Sequence, residues 1–245
     1  MATYGSPNVG FLLIGGRDIL AVSTGAAPSV EAETRELTPL GATWPTHVLN
    51  GLKSGTFTQE GWYDDAAGSI NDAVCEKEGT SQVVCIGHEG NTIGKKFWGF
   101  AGVLAAKFKR LLQVGEFHKA SFEGSVTGAA EVGMVVASLA ARTTAGNTQT
   151  TPVNNGASSA NGGAGYLQVN ALTLGGYTNC VVKGRHSSDN VTYADLLTFT
   201  VVTTAPTAER VTCVGTVNQY LAMSWAWTGS GSGMSITCMV GFARG

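Results

Sequence analysis

Charge is what this sequence has least of. Only 13% of its 245 residues are Asp, Glu, Lys or Arg, against roughly 25% in ordinary globular domains. With 15 basic and 17 acidic residues the formal net charge is −2, so there is no basic footprint for gripping phosphates or reading bases. Long apolar runs are missing too. None approaches the roughly 18–20 residues that cross a bilayer as a helix, and MATYGSPNVGFLLIGG lacks the basic lead and the apolar length of a secretion signal. The five cysteines (Cys75, Cys85, Cys180, Cys213, Cys238) are odd in number and widely spaced, with no CxxC pair. No Cys/His cluster has zinc spacing. Several cysteines sit inside apolar runs such as VVCIG and ITCMV, where a thiol behaves as a small buried hydrophobe. Reduced core cysteines, and synthesis in a cytoplasm, are the expectation. No serine stands in a nucleophile elbow.

What replaces charge is glycine, serine, threonine and asparagine, with 34 glycines in all, beside a hydrophobic content of 43%. That apolar content is too high and too evenly spread for a disordered chain. An all-β protein with many tight turns, its surface lying largely against copies of itself, accounts for both numbers. The charges are unevenly placed: residues 1–145 hold 11 of the 15 basic and 14 of the 17 acidic residues. The composition therefore changes near residue 145, and two domains are expected.

Along the chain, Phe11–Ile14 and Ile19–Val22 flank Gly15-Gly16-Arg17-Asp18, a hairpin turn between short strands. Residues 25–40 read as strand plus loop, and Val48–Trp62 as strand, loop and strand around Asn50-Gly51. Asp64-Asp65 is placed to cap a short helix over Ala66–Lys77, with Ile70, Ala73 and Val74 on one face. Gln82–Gly87 and Lys96–Phe108 read as strands, although Ala101–Leu112 also contains good helix formers. Phe117–Thr127 alternates, and Met134–Ala141 is a further apolar run. Thr143–Gly165 is a Gly/Ser/Thr/Asn-rich linker or long loop whose one large apolar residue is Val153. Beyond it come about six strands: Tyr166–Leu172, Cys180–His186, Leu196–Val202, Arg210–Val217, Tyr220–Thr228 and Met234–Phe242. Two of them show period 2: Leu221, Met223, Trp225 and Trp227 share a face, as do Met234, Ile236, Cys238, Val240 and Phe242.

Residues with chemical potential are few. Gly90-Asn91-Thr92-Ile93-Gly94-Lys95-Lys96 is one residue short of a phosphate-binding loop and has Lys96 where a metal-binding hydroxyl belongs, so it reads as a turn. His88-Glu89 and His118 are the nearby acid–base candidates, and a strand surface or an interface is the plainer place for them. Asp64 and Asp65 are neighbours and point apart. Asn190-Val191-Thr192 reads as a turn. Glu31 and Glu33 share a face if their segment is a strand, with Glu36 close by; they form either an acidic wall or a solvated exterior. Trp225, Trp227, Tyr177 and Tyr193 form either a sugar-binding platform or core packing. No catalytic, cofactor-binding or metal-binding residue is assigned.

The segment Thr38–Asp65, TPLGATWPTHVLNGLKSGTFTQEGWYDD, places glycines, apolar residues and the closing Gly61-Trp62-Tyr63-Asp64-Asp65 in an order that resembles the major tail tube proteins of long-tailed bacteriophages. The stretch from Gly115-Glu116-Phe117 to Gly128 resembles a second strand pattern of that family. Together these extend the resemblance over most of residues 1–140. HSSDNVTYADLLTFT, ERVTCVGTVNQYLAMSW and the final GFARG resemble the C-terminal half of some tail tube proteins.

The resemblance implies an all-β fold: a tail-tube-like β-sandwich or half-barrel with one short helix over residues 1–142, then a second β-sandwich, jelly-roll or Ig-like, over 166–245. It implies a structural virion protein that partners itself in a ring, a homohexamer, whose strands form a continuous inner barrel. Rings stack into a tail tube in contact with the tape-measure and other tail proteins, and double-stranded DNA passes through without sequence-specific binding. The acidic wall of Glu31, Glu33 and Glu36 would then repel the phosphate backbone. Residues 41–52 and the arm Met1–Val9 are the candidates for ring-to-ring contact. No cofactor, no membrane and no enzymatic activity are expected. A carbohydrate-binding β-sandwich module, displayed on a virion or secreted, is the alternative.

Overall fold

A computed structural model describes residues 9–36, 43–44, 47–66, 69–112, 114, 116–144, 146–148 and 151–245. The fold is all-β, with one short α-helix and antiparallel strands throughout. In chain order the first strands are β1 (Leu12–Ile14), β2 (Arg17–Asp18), β3 (Ser23–Glu36) and β4 (His47–Trp62). The helix α1 (Ile70–Ala73) follows, then β5 (Ser81–Ile86), β6 (Lys96–Leu111), β7 (Lys119–Val126) and β8 (Ala130–Arg142). The remainder comprises β9 (Gly146–Thr148), β10 (Val153–Asn154), β11 (Gly163–Thr173), β12 (Asn179–Ser187), β13 (Ala194–Thr198), β14 (Thr207–Cys213), β15 (Tyr220–Thr228) and β16 (Ser235–Arg244).

One 11-stranded sheet runs β14-β11-β16-β8-β6-β5-β1-β2, with β7, β4 and β3 branching from β6. It crosses the change in composition, because β16 pairs with β8 and with β11. The sheet curls until its two ends meet. Phe11, Leu13, Cys85, Phe97, Val135, Ala164, Tyr166 and Met239, drawn from β1 and its lead-in and from β5, β6, β8, β11 and β16, form a single buried cluster in the interior of that curl. Its packing is ring against glycine. A Cβ on Gly241 or Gly133 would stand 2.4 or 2.6 Å from the Phe97 ring, and one on Gly99 would stand 2.7 Å from the Tyr166 ring. The bare backbones of β6, β8 and β16 are what admit these two rings, which meet edge to face at 5.5 Å.

Two further cores lie outside the curl. The first packs Leu12, Ile14, Phe57, Ile70, Val84, Phe100, Val103 and Phe122 between the strands and α1. The second lies between the β8-β16-β11 face and a five-stranded sheet, β10-β15-β12-β13 with β9 also on β15. It buries Leu167, Val169, Val182, Phe199, Leu221, Met223, Ile236, Cys238 and Val240. β16 is therefore buried on both faces, which explains why its run ITCMVGFA carries no charge.

Four expectations need correction. The helix expected over Ala66–Lys77 shrinks to Ile70–Ala73 and a 3₁₀ turn at Cys75–Lys77. Asp64 does not cap it, accepting instead the N–H of Ala66 at 2.9 Å, although Ile70, Ala73 and Val74 are buried as expected. Val48–Trp62 holds no loop, since β4 is continuous and Asn50-Gly51 is absorbed where the β3–β4 register shifts between Ala32 and Thr34. The strands expected at Leu196–Val202 and Arg210–Val217 end at Thr198 and Cys213. Phe199 still donates one backbone hydrogen bond to β12, Val202 exchanges two with Cys180, and Val217 pairs with Ser159. Ala101–Leu112 is strand as far as Leu111. Within 143–165, β9 and β10 lie along β15, anchored by the buried Val153.

Candidate assembly surface

The described residues converge on a surface, not on a reactive centre. β6 is the pivot. Its first half pairs with β8 (Lys96↔Met134 to Phe100↔Ala130), and its second half pairs with β7 (Val103↔Val126 to Leu111↔Lys119). β4 adds to β7, and β3 to β4. A four-stranded antiparallel blade β3-β4-β7-β6 therefore swings away from the curl. Residues paired across an antiparallel ladder share a face, so the pairings sort the blade into two sides. Phe57, Gln59, Ala120, Phe122, Gly124, Val103 and Ala105 face the core and are buried. Thr56, Thr58, Glu60, Ser121, Glu123, Ser125, Lys107 and Lys109 face outward. That outer face is rich in hydroxyls and carries both signs of charge, with Lys107 and Glu123 3.7 Å apart.

Both long edges of the blade are open. Among the described residues β3 pairs only with β4. Past Leu104, β6 has lost its partner β5 and keeps only two backbone hydrogen bonds at Ala105 on that side. Beyond the end of β7 the β3–β4 hairpin runs on alone, and every β3 residue from Ser29 to Glu36 is exposed. β3 is thus wet on both faces over this stretch, and isolated hairpins are marginal in water. Glu31, Glu33 and Glu36 lie on this stretch. Residues 37–42, 45–46 and the arm 1–8 lie outside the described residues, so the ring-contact candidates there are untouched; Trp44 is 81% exposed.

The other end of the blade is apolar. Trp62, Leu111, Leu112, Val114 and Phe117 are 41, 52, 63, 103 and 83% exposed. The rings of Trp62 and Phe117 meet at 5.8 Å, and Lys119 sits over Trp62. Sequence reading placed Trp62 and Phe117 in separate strands and left Leu111, Leu112 and Val114 beyond the strand that ends at Phe108. The signal it passed over was the density of large apolar side chains in LLQVGEF, a connection that ought to be polar. Near the start of β3, Val9, Leu12, Leu20, Ala26, Pro28, Ile86, His88 and Trp98 line an open groove of about 660 Å³.

The chemical candidates stay apart. His88 lines that groove, Glu89 accepts the N–H of Lys96 at 3.1 Å, and His118 is exposed. Gly90–Lys96 is a turn held to β8 by Asn91, whose side chain bonds both the N–H and the C=O of Leu139 at 2.7 and 3.1 Å. Trp225 and Trp227 pack half-buried on the second core, and the Trp227 indole donates to the Thr144 carbonyl at 2.9 Å. Tyr177 lies 5.8 Å from the Trp227 ring, while the Tyr193 hydroxyl donates to Asn190 at 2.6 Å. Asn190 takes a left-handed φ of 62° in a turn organised by Asp189.

At the rim of the curl, Arg210 clamps Glu131 through 2.6 and 3.0 Å bonds, and Tyr166 donates to the same carboxylate at 2.5 Å. Burial raises the Glu131 pKa, but these hydrogen bonds and the guanidinium charge outweigh it and hold the carboxyl below its usual range. Burial, then Glu131, pushes the Tyr166 hydroxyl up. The clamp joins β8, β11 and β14, and its role is structural.

No family model matches the chain, and no curated protein matches it. Among solved structures, it is similar to a chain from the tail of an empty gene transfer agent particle with C6 symmetry. The identity is 13% and the TM-score 0.42, over 52% of this chain and 97% of that one. A chain from the virion of a native gene transfer agent particle gives 14% and 0.40, over 53% and 98%. The SPP1 Dit protein, described as a hub of the adsorption apparatus of phages infecting Gram-positive hosts, gives 11% and 0.33, over 96% and 98%.

Proposed function

We propose that this chain is a structural protein of a phage-type virion tail, which closes into rings that stack as a tube for DNA. The observation that carries the reading is the blade with its two open edges and its edge strand β3 exposed on both faces from Ser29 to Glu36. The direction of its strands alternates from β3 through β4 and β7 to β6. Laying the β3 edge of one copy against the distal β6 edge of the next therefore continues the antiparallel alternation without a break. Ring closure would remove both edges at once, which is how barrels escape uncontrolled pairing. Six copies would supply about twenty-four strands, more than the 16–18 that already leave an open channel.

The outward face of hydroxyls and mixed charge would then line the lumen. With little net charge it offers phosphates no attractive surface. The reading also agrees with the tail-tube pattern in Thr38–Asp65. Nothing favours the sugar-binding alternative, since its tryptophans are engaged with the core.

Negative-stain microscopy of the purified protein across a concentration series tests this. Rings or stacked tubes with a channel wider than the ~20 Å of duplex DNA are expected. A monomer that stays monodisperse at every concentration overturns the proposal.

A further inference from the structure

The two open edges of the blade carry opposite charge. β3 holds Glu31, Glu33 and Glu36 against Arg35, while β6 past Ala105 holds Lys107, Lys109 and Arg110 and no acid. We infer that neighbouring copies join these edges with a slip of four residues, so that Lys107 of one copy faces Glu31 of the next. The inference rests on the ring closure proposed above, and fixes the register and the side-chain contacts of that junction.

Within one copy the ladders align Lys107 with Glu123, Thr58 and Ala27. A neighbour laid on without slip would continue that row and set its Leu112 beside Val22, which belongs to a 3₁₀ turn and not to β3. Odd slips turn the faces of a strand over, so the choice lies among even ones. A slip of four sets residues 107–112 of one copy antiparallel to residues 26–31 of the next, and the whole free run of β6 then lies on open β3. Six would carry the junction into the register irregularity between Ala32 and Thr34. The tilt agrees. Four residues of slip over the four strands of one copy, at roughly 3.3 Å per residue and 4.7 Å per strand, incline the strands by about 35°. Closed barrels have roughly 35–45°, and a slip of two would give only about 19°.

The contacts match face by face. Ala27 and Ser29 pair with the outward-facing Thr58 and Thr56, so Glu31 faces outward too, as Lys107 and Lys109 do. Arg110 lies on the other face, 3.8 Å over its own Tyr63 ring, and takes no part in the ion pair. On that core-facing side the exposed Val30 meets Phe108, and the exposed Leu112 meets Ala26 at the mouth of the groove lined by Leu20, Pro28 and Trp98. Behind the junction β4 adds Lys53 and Glu60, and β7 adds Lys119 and Glu123. Each of those strands brings one charge of either sign, so the edge strands decide the complementarity. Pro28 has no N–H to donate and removes at most one rung of the ladder.

The test uses the full chain. Gly25, Ser29 and Lys109 are exposed and face the same way, and a side chain at Gly25 meets open space. With the slip, Ser29 of one copy lies opposite Lys109 of the next. Gly25 is then four residues away, roughly 13 Å, beyond the reach of a disulfide. Under copper–phenanthroline oxidation the Ser29→Cys/Lys109→Cys variant should therefore form covalent multimers and the Gly25→Cys/Lys109→Cys variant should not. Peptide mass spectrometry identifies the linked pair. Glu31→Lys and Lys107→Glu should each raise the concentration at which rings form by about fivefold or more. The combined swap should restore most of that loss, and all three should keep the circular dichroism of the wild type. Rings that link through the 25/109 pair instead, or a combined swap worse than either single variant, overturn the register and leave ring closure standing. Linkage of 29 to 109 in open chains that never close leaves the junction standing and ends the ring. The absence of any oligomer removes both.

Discussion

The side-chain oxygen of Gln168 accepts the backbone N–H of Gly16 at 2.7 Å, while its amide nitrogen donates to the Val83 carbonyl at 3.1 Å. Gln168 is fully buried on β11, and Gly16 sits in the β1–β2 turn. Together with Asn170, which donates to the Gly16 carbonyl at 3.3 Å, Gln168 closes the seam where the two ends of the large sheet meet. Gly16 belongs to the device: its φ is 89°, and a Cβ there would stand 2.5 Å from the Val169 carbonyl. Gln168→Leu orphans the buried Gly16 N–H, at roughly 1–3 kcal/mol, and takes one of two bonds from the Val83 carbonyl, which keeps the N–H of Gly15 at 3.0 Å. In a chain of this size about 2–4 °C of melting temperature goes with each kcal/mol. Gly16→Ala adds backbone strain and a steric clash, and should be at least as damaging. Thermal unfolding followed by circular dichroism decides the matter; a Gln168→Leu protein melting with the wild type would show that the seam does not need this bridge.

The interior of the curl makes a sharper demand on glycine. At Gly241 a methyl would stand 2.4 Å from the Phe97 ring, which is walled in by Tyr166 and cannot retreat. Gly241→Ala should cost about 1–3 kcal/mol through overpacking. Gly25, an exposed residue of β3, has nothing within 4 Å of such a methyl. Gly25→Ala should leave stability unchanged within about 0.5 kcal/mol. Equal effects of the two substitutions, measured by urea unfolding, would contradict the ring-on-glycine account.

This contrast also marks what the sequence could tell. Alternation in β15 and β16 was readable because Leu221, Met223, Ile236, Cys238 and Val240 all face one core. The burial of Met239 and Ala243 on the opposite face was not, since a strand enclosed on both sides carries the same letters as one half-exposed beside small residues. Gln168 looked like an ordinary polar position in LQVNALT; its worth comes from a partner 152 residues away. Glu131 and Arg210 meet only through strand order, which no local pattern encodes. The blade was half legible: the glycines and aromatics of Thr38–Asp65 signalled it, whereas the continuity of β4 through Asn50-Gly51 depends on the register that β3 imposes.

The five cysteines are free and should divide cleanly by reactivity. Burial pushes the thiols of Cys85 and Cys180 up to about 12 and that of Cys238 to about 11. At pH 8 these are neither ionised nor reachable, and the thiolate is the reacting species. Cys75 and Cys213 are partly exposed, and burial raises the Cys213 thiol as well. Iodoacetamide on the native protein should therefore modify Cys75 first, Cys213 slowly, and the other three only after unfolding. Early labelling of Cys85 in peptide mass spectra would mean that the curl opens readily.

The clamp on Glu131 predicts how acid weakens the fold. Its carboxyl is held below the ordinary 4.5 because the Arg210 and Tyr166 hydrogen bonds and the Arg210 charge outweigh the burial that opposes them. A group whose pKa is lowered by folding contributes its full stabilisation above the unfolded value and loses it as pH falls through the folded one. The contribution of the clamp is thus intact above about pH 4.5 and fades below it. Asp18 works the other way, since burial outweighs its bonds from Leu20 and Leu12 and raises its pKa, but it is common to every variant and cancels in a difference. Glu131→Gln should lose about 1.5–3 kcal/mol at pH 7, as hydrogen bonds to a charged group are removed. Between pH 6 and pH 3 it should then lose less stability than the wild type does, because it has no carboxylate left to protonate there. Urea unfolding at the two pH values tests both statements, and parallel losses in the two proteins would remove Glu131 from the acid response.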